Sequence, residues 1–251
     1  MAHLILTGAT GLVGSAVLVN LIERPTSEVS KVTVLSRREV PIIKDNPRFE
    51  TVILKSFTSY DSELLENLKG ADGVIWAQGI SITQVPRDEY LKITIDYPLC
   101  AAKAFASLSD NFKFVYVSGY GASTNPGMFT QPFGKIKGSA ELQLLDLQTK
   151  LPTLKVYSAR PCFVDPSHHS EIEEALKDRR KPFAEKLVPA LRPLLRLMPK
   201  YVSPTNELGK VLVDLALSDG QELQGEGVEK GRILENSVLQ RLYAESVKVQ
   251  S

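Results

Sequence analysis

The chain contains few of the residues that mark disulfide-bonded, metal-binding or membrane-spanning proteins. Its 251 residues include 2 cysteines and 3 histidines, too few for a disulfide framework and without the spacing of a zinc site. No apolar run reaches the roughly 18 residues that a membrane span requires, and the start "MAHLILTGAT" lacks the regions of a signal peptide. These absences predict a cytoplasmic protein without a membrane span or a bound metal ion.

An excess of charge of either sign is also missing. The 30 basic and 29 acidic side chains leave a formal net charge of +1, so no overall field attracts nucleic acid. With 43% hydrophobic and 24% charged residues, the composition is that of an ordinary globular protein with a sizeable core. We therefore expect a small-molecule ligand and no nucleic-acid partner, while a homodimer stays open.

Short apolar strands alternate with helical stretches over the first 160 residues. The helical pattern is clear in "LVGSAVLVNLIE" and "DYPLCAAKAFASL", and the predicted strands are "HLILTG", "KVTVLS", "FETVIL", "GVIWAQ", "KFVYVS" and "LKVYSA". Apolar strands in regular alternation with helices are typical of a parallel sheet with helices on both faces. The predicted fold class is therefore α/β, a doubly wound parallel sheet of the Rossmann type.

A glycine-rich loop joins the first strand to the first helix. In "LILTGATGLVGSAVL" the glycines follow a G-x-x-G-x-x-G spacing. Glycine allows a tight turn and a close approach of the backbone, so that amides at the helix N-terminus can hold a pyrophosphate. Because strand, loop and helix occur in the right order, the motif predicts a dinucleotide site. The residues expected to contact the cofactor here are Gly8, Thr10, Gly11, Leu12 and Gly14.

The end of the second strand indicates which dinucleotide binds. A carboxylate there would bind the ribose 2′-hydroxyl of NAD, but Ser36, Arg37 and Arg38 occupy the position and match a 2′-phosphate. The predicted cofactor is therefore NADP(H). Asp72, before the fourth strand, is expected near the adenine, and Ala77–Gly79 are expected to line the crevice at that strand's carboxyl end.

After residue 160 the pattern changes to proline-interrupted helical segments. We divide the chain into an NADP-binding Rossmann core, 1–160, and a smaller, mainly helical substrate-side lobe, 161–251, folded onto it as a single structural domain. The stretch 185–202 combines apolar and basic residues. Pro189 and Pro193 interrupt a regular helix, which favours a lid over an apolar pocket rather than a helix lying on a membrane or partner.

Taken together, these motifs resemble the atypical short-chain dehydrogenase/reductase superfamily. The sequence looks most like its small members, the Tat-interacting-protein-like proteins and related fungal epimerase-like proteins. Over most of the chain, the resemblance rests on the glycine loop, the helix around Lys137, "VYVSGYGAS" after the fifth strand, "SARP" at 158–161 and "GRILENSVLQRL" near the end. It implies the Rossmann fold, a bound dinucleotide and a place for Pro161 beside that cofactor.

The resemblance also implies a catalytic set, from which this sequence departs. In the family, a serine after the fifth strand polarises a carbonyl, a tyrosine transfers its proton, and a lysine four residues later lowers the phenol's pKa and holds the cofactor ribose. Ser118 and Lys137 match the serine and the lysine. Phe133 occupies the tyrosine position, and Gly119 stands where a second serine often follows. Cofactor binding is expected to survive, whereas ordinary ketone reduction is in doubt.

Several interpretations of this departure stay open. Tyr120 is a candidate substitute acid, because Tyr116, Ser118 and Tyr120 share one face if the strand stays extended. The alternative, in which Tyr120 packs over the cofactor or an apolar ligand, is favoured. Other readings are the reduction of an activated C=N or C=C acceptor that needs little proton donation, a redox-neutral isomerisation or cyclisation, and a non-catalytic NADPH sensor.

Three residues are expected in the substrate pocket: Phe133, Cys162 and His168. A histidine in the loop after "SARP" is a candidate general base at neutral pH, but the interpretation of "PSHHSEIEE" as helix capping is favoured. Cys162 has no assignable base partner and is interpreted as a small packing residue. The leading hypothesis is an NADP(H)-binding enzyme that acts on a small, mostly apolar organic substrate and reduces an activated C=N, C=C or C=O group.

Overall fold

The computed structural model describes residues 1–167, 169, 172 and 198–250, and its elements follow the alternation predicted from the sequence. The strands are β1 (Ala2–Thr7), β2 (Val29–Ser36), β3 (Phe49–Ile53), β4 (Gly73–Trp76), β5 (Phe112–Val117), β6 (Leu154–Arg160), β7 (Phe163–Asp165), β8 (Val202–Pro204), β9 (Val228–Glu229) and β10 (Ile233–Glu235). The helices of the described residues are α1 (Leu12–Glu23), α2 (Ser62–Asn67), α3 (Arg87–Leu91), α4 (Tyr97–Phe105), α5 (Pro132–Lys150), α6 (Thr205–Leu217) and α7 (Asn236–Gln250), with a π-helical turn at Lys92–Asp96 before α4.

The main sheet has eight strands in the order β3-β2-β1-β4-β5-β6-β10-β9. All neighbouring pairs are parallel except the last, in which β9 runs antiparallel to β10. The order β3-β2-β1-β4-β5-β6 is that of the doubly wound dinucleotide-binding sheet, and it reverses direction between β1 and β4. The predicted fold class is confirmed.

Two apolar layers bury the two faces of this sheet. On one face of the sheet, Leu4, Leu6 and the neighbouring buried side chains pack against α1, α6 and α7. The other packs Ile5 and Trp76 against the α2, α4 and α5 side, where the Trp76 ring stacks on Phe114 with centroids 5.9 Å apart. Side chains that alternate along a parallel strand reach opposite layers, which is why consecutive apolar residues are needed in each strand.

The carboxyl-terminal part of the chain contributes strands to the main sheet and also forms a second, two-stranded sheet. β10 pairs with β6, as Ile233 lies opposite Ser158, and α6 lies against α1. β7 and β8 form a separate parallel pair. The division at residue 160 stays a prediction, and residues 185–197 of the predicted lid lie outside the described residues. Among the residues that the structure describes, no helix has the length and apolarity needed to cross a membrane.

Candidate functional site

A crevice of about 500 Å³ opens at the carboxyl ends of β1, β2 and β4, where the strand order reverses. This is the position at which open parallel sheets bind ligands, because connections leave in opposite directions and a gap remains between them. The described residues that line it are Gly8, Thr10, Gly11, Leu35, Ser36, Arg37, Arg38, Phe57, Ala77, Gln78, Gly79, Ile80 and Gln84.

The glycine loop forms the floor of this crevice. Gly8 has a φ of +72°, and a Cβ there would stand 2.5 Å from the carbonyl oxygen of Ala77, so only glycine fits. A Cβ on Gly14 would overlap the carbonyl oxygen of Gly8. Gly11 caps α1 without a side-chain hydrogen bond, and the first turn of α1 contains no acidic residue. The first amides of α1 therefore remain available to an anionic group such as a pyrophosphate.

The predicted loop residues do not all face the crevice. Gly8, Thr10 and Gly11 line it. Leu12 packs on Ala16 and Val19 at the start of α1, and Gly14 is buried under the loop, so these two shape the loop rather than its open side.

The tip of β2 brings two cations to one end of the crevice. Arg37 and Arg38 are exposed, and neither forms an ion pair with a carboxylate of the described residues. Ser36 is buried, and its Oγ accepts a hydrogen bond of 3.3 Å from the Arg38 amide. Two uncommitted guanidinium groups beside a serine are suited to a phosphate monoester.

Sequence reasoning missed part of the opposite wall. Phe57 follows β3, and its ring lies 6.0 Å from that of Trp76 in an edge-on arrangement. Gln78, inside the predicted segment 77–79, has a buried Oε1 without a partner, while Ile80 and Gln84 continue the wall. Position after the carboxyl end of a parallel strand was the signal that could have identified Phe57.

Asp72 is not part of the crevice, and the expectation that it lies near an adenine is wrong. Its carboxylate accepts a hydrogen bond of 2.9 Å from the His3 amide, and its own amide donates to the His3 carbonyl. Asp72 precedes β4 and therefore sits at the amino edge of the sheet. Ligands bind at the other edge, beyond the carboxyl ends of the strands.

Ser118 and Lys137 meet at the end of β5. The Lys137 Nζ donates a hydrogen bond to the main-chain carbonyl of Ser118. The Ser118 Oγ is buried and has no hydrogen-bond partner among the described residues. A buried hydroxyl without a partner costs free energy unless a ligand or water satisfies it, so the Ser118 Oγ is available for a hydrogen bond to either.

The first turns of α5 are held close to the loop after β5 by two glycines. A Cβ on Gly134 would overlap the carbonyl oxygen of Gly121, and a Cβ on Gly138 would overlap that of Ser123. The Ser123 amide also donates to the Gly134 carbonyl over 3.1 Å. These contacts fix the rotation of α5 and so bring Lys137 to Ser118.

Phe133 lies one turn before Lys137 on α5, as predicted. Its ring packs on Gly121, where a Cβ would stand 3.3 Å from the ring's Cζ. No other aromatic hydroxyl of the described residues replaces the missing phenol through a contact with Ser118.

Tyr120, the candidate substitute acid, and Tyr116, predicted to share its face, make contacts away from Ser118. The Tyr116 hydroxyl donates to the Thr94 carbonyl over 3.2 Å, and burial raises its pKa. Tyr120 is 55% exposed, and its ring lies 5.8 Å from that of Tyr201. β5 ends at Val117, so the extended strand that would align Tyr116, Ser118 and Tyr120 does not continue. A catalytic role for Tyr120 stays a prediction.

The residues after β6 lie beside this site in the fold. The Pro161 carbonyl accepts a hydrogen bond of 2.8 Å from the Tyr120 amide, and the Cys162 amide donates to the Ser203 hydroxyl over 3.0 Å. Burial raises the pKa of the Cys162 thiol to about 11, which keeps it protonated at neutral pH. His168 lies outside the described residues.

A buried ion network continues from Lys137 along α5. Glu141, one turn further, is fully buried and forms paired hydrogen bonds of 2.9 and 2.5 Å with Arg160. Arg160 also contacts Glu235 over 2.7 Å. Burial lowers the pKa of Lys137 to about 8, and the charge of Glu141 partly opposes that shift. No local sequence pattern predicts this network, since its members are far apart in the chain.

The strand order, the glycine loop and the two exposed arginines define a dinucleotide-binding protein of the Rossmann class. Leucinostatins biosynthesis cluster protein T of Purpureocillium lilacinum is 35% identical over 254 residues, which cover 92% of this chain and 91% of that protein. The chain therefore belongs to the same family as that protein, and its sheet order is the one that the resemblance to the atypical short-chain dehydrogenase/reductase superfamily implies. No protein-family model matches the chain.

A second fungal protein and several solved structures are also similar to the chain. Botcinic acid biosynthesis cluster B protein 16 of Botryotinia fuckeliana (strain B05.10) is 41% identical over 139 residues, 51% of this chain and 85% of that protein. The fold is shared with the PhqB reductase domain of Penicillium fellutanum, with a TM-score of 0.63 at 14% identity over 93% of this chain and 66% of that one. It is also shared with WbmF of Bordetella bronchiseptica in complex with NAD+, with a TM-score of 0.65 at 14% identity over 99% and 78% of the two chains.

Proposed function

We propose that the protein is an NADP(H)-dependent enzyme of small-molecule biosynthesis that reduces an activated C=N, C=C or C=O group of a mostly apolar organic substrate. The observation that carries the proposal is the crevice with a glycine floor at one end and two uncommitted arginines at the other. The names of the two fungal relatives, both of biosynthesis clusters, support a substrate from secondary metabolism.

The residues present fit a dinucleotide phosphate. The amides at the start of α1 would hold the pyrophosphate, and the close contact between Gly8 and Ala77 leaves no side chain in its way. Arg37 and Arg38 would pair with the 2′-phosphate. The buried Gln78 Oε1, which has no partner, would accept a hydrogen bond from the bound nucleotide. When bound, the cofactor supplies a hydride.

The protein's own residues would orient the acceptor and balance its charge. The unpartnered Ser118 hydroxyl would donate to the heteroatom of the substrate, as its burial makes a hydrogen bond there favourable. The Lys137 ammonium, fixed on the Ser118 carbonyl, adds positive charge where negative charge develops. Phe133 adds an apolar surface without a proton, which fits an acceptor that is already electrophilic.

Titration of the wild-type protein with NADPH and NADH tests the cofactor assignment. We expect NADPH to bind about ten- to a hundredfold more tightly, corresponding to roughly 1.5–3 kcal/mol for a charge-assisted contact. Equal affinity for the two dinucleotides contradicts the role of the arginines, and no binding of either contradicts the proposed function.

The missing phenol favours a second candidate, a redox-neutral isomerase or cyclase in which the nucleotide shapes the pocket. The specific observation is that Phe133, rather than a tyrosine, stands one turn before Lys137. The stoichiometry separates the two candidates. A reductase consumes one NADPH per product, whereas an isomerase forms product with the NADPH absorbance unchanged.

A further inference from the structure

The ionisable groups around Ser118 have unequal access to a reacting atom. The Tyr116 hydroxyl is committed to Thr94, Tyr120 is largely exposed beside Tyr201, and the Cys162 amide rather than its thiol is anchored by Ser203. The Lys137 Nζ, in contrast, already contacts the Ser118 carbonyl. Within the described part of the chain, it is the ionisable group that the structure brings into contact with residue 118.

An open position lies directly beside this ammonium. A Cβ built on Gly119 would stand 3.2 Å from the Lys137 Nζ, and no other described atom outside residues 118–120 lies within 4 Å of that point. A distance of about 3 Å is that of a hydrogen bond between an ammonium and an oxygen or nitrogen. Glycine at position 119 therefore leaves a place where a substrate heteroatom can contact Nζ without displacing a side chain.

We propose that Lys137 itself transfers the proton to the substrate, in place of the phenol that Phe133 lacks. This inference rests on the proposed function, because it concerns the same site. It assigns to Lys137 a direct contact with the substrate heteroatom that receives the proton. This role is additional to holding the cofactor ribose, which the family resemblance implies.

The surroundings of Lys137 keep its proton transferable near neutral pH. Burial lowers its pKa to about 8, against an ordinary value of 10.5, and Glu141 on the next turn of α5 is the charge that opposes the shift. Arg160 of β6 binds both oxygens of Glu141 and so offsets much of that carboxylate's charge. In the loop directly after β5, the Ser118 carbonyl accepts a hydrogen bond from the ammonium. A donor whose pKa lies near the working pH is the most effective general acid.

The proton balance of the step is simple. When the carbon of the C=X bond receives a hydride, the π electrons move to X. An Nζ–H bond of Lys137 breaks, the nitrogen keeps the electron pair, and the proton forms the X–H bond. The neutral amine then takes up a proton from water.

The first readout is the titration of the amine in the protein without nucleotide. Competitive labelling with acetic anhydride over a pH series, read by mass spectrometry of the peptides, gives a pKa for each lysine. We expect Lys137 to titrate near pH 8. Titration of Lys137 at the ordinary lysine value of 10.5 overturns the proposal.

The second readout uses NADPH and ethyl pyruvate as an activated ketone probe. Lys137→Arg keeps the charge and the donors but cannot release a proton, so we expect kcat to fall about 100-fold or more while the Kd for NADPH changes little. The matched control Lys135→Arg should retain the wild-type kcat. In the wild type, kcat should decline as pH rises through about 8, because the ammonium is then lost.

Several results would overturn this role for Lys137. They are a wild-type rate in a folded Lys137→Arg or Lys137→Met variant, and no reduction of ethyl pyruvate by a wild-type protein that binds NADPH. A covalent Lys137 adduct after borohydride treatment with ethyl pyruvate would show that the amine is a nucleophile instead. Each of these leaves the proposed function standing, whereas a wild type that fails to bind NADPH contradicts the function itself.

Discussion

The ring of Phe133 lies against the backbone of Gly121, so that a Cβ on Gly121 would stand 3.3 Å from the ring's para carbon. Gly121 has a φ of +84°, a backbone conformation that favours glycine. The contact explains how the loop after β5 accepts an aromatic ring at the start of α5. It also shows that position 133 holds an aromatic ring of the size of the missing tyrosine, lacking only its hydroxyl.

Phe133→Tyr should restore a phenol one turn before Lys137. The charge of the lysine stabilises the phenolate and lowers the phenol's pKa, so NADPH-dependent reduction of simple activated ketones should rise by about 10²–10⁴. Initial rates with ethyl pyruvate measure the gain. Phe129 lies in the loop before α5 and is 90% exposed. Phe129→Tyr is therefore the matched control and should not increase the rate. An unchanged rate in a Phe133→Tyr protein that still binds NADPH would mean that a ketone does not reach this position.

Arg37→Ala should weaken NADPH binding about ten- to a hundredfold and leave NADH binding unchanged, because only NADPH carries the 2′-phosphate. Calorimetric titration of both dinucleotides measures the effect. Lys150→Ala removes the same charge from the far end of α5 and should alter neither affinity. A parallel loss of NADPH and NADH affinity in Arg37→Ala would place Arg37 elsewhere than at the 2′-phosphate.

Gly14→Ala and Gly11→Val should separate folding from binding. A Cβ on Gly14 overlaps the carbonyl oxygen of Gly8, which is backbone and cannot move aside, so we expect a loss of about 3 kcal/mol or more in the free energy of unfolding. A Cβ on Gly11 stands 3.2 Å from the same oxygen, so Gly11→Val should fold. Its side chain would occupy the space of the pyrophosphate and abolish NADPH binding. Denaturant unfolding and NADPH titration of both variants measure these effects. Unchanged NADPH affinity in Gly11→Val would mean that the glycine loop is only a structural turn without a role in binding.

Glu141→Gln should destabilise the fold and also change Lys137. Removing the buried Glu141 charge leaves Arg160 with the more exposed Glu229 and Glu235 as ion-pair partners, so the cost should be at most about 3 kcal/mol. The loss of the carboxylate should lower the pKa of Lys137 below about 8, because Glu141 is the charge that raises it. Urea unfolding and the labelling titration of Lys137 measure the two effects. Glu66→Gln, in an exposed pair with Lys69, is the control and should change neither. A Lys137 pKa that rises in Glu141→Gln would contradict this electrostatic account.

His3 should make the protein less stable in mild acid. Burial is the main cause that lowers its pKa from 6.5 to about 4, so the unfolded chain takes up the proton first as pH falls. The contribution of His3 to stability is constant above pH 6.5 and is lost between about 6.5 and 4, by roughly 1 kcal/mol after allowance for solvent screening. Urea unfolding of wild type and His3→Gln at pH 7 and pH 4.5 measures it. Identical pH dependence of the two proteins would exclude His3 as the source.

The sequence was sufficient for the fold and for the floor of the site, because both depend on local patterns. The runs of apolar residues predicted the strands of the parallel sheet, and "LVGSAVLVNLIE" coincides with α1. The glycine spacing predicted the loop that lies in the crevice, since a tight turn needs glycine whatever surrounds it. The family resemblance implied a helix that carries Lys137 four residues after Phe133, and both residues lie on α5.

The tertiary structure decided what no local pattern encodes, namely which edge of the sheet a residue occupies and which distant groups it contacts. Asp72 and Ala77 flank the same strand, yet only Ala77 reaches the crevice, because parallel strands place their two ends at opposite edges. Glu141 and Arg160 form a buried pair because α5 returns across β6 and brings them within hydrogen-bond distance. That packing, with Gly134 and Gly138 against the loop after β5, is also what brings the Lys137 ammonium to Ser118.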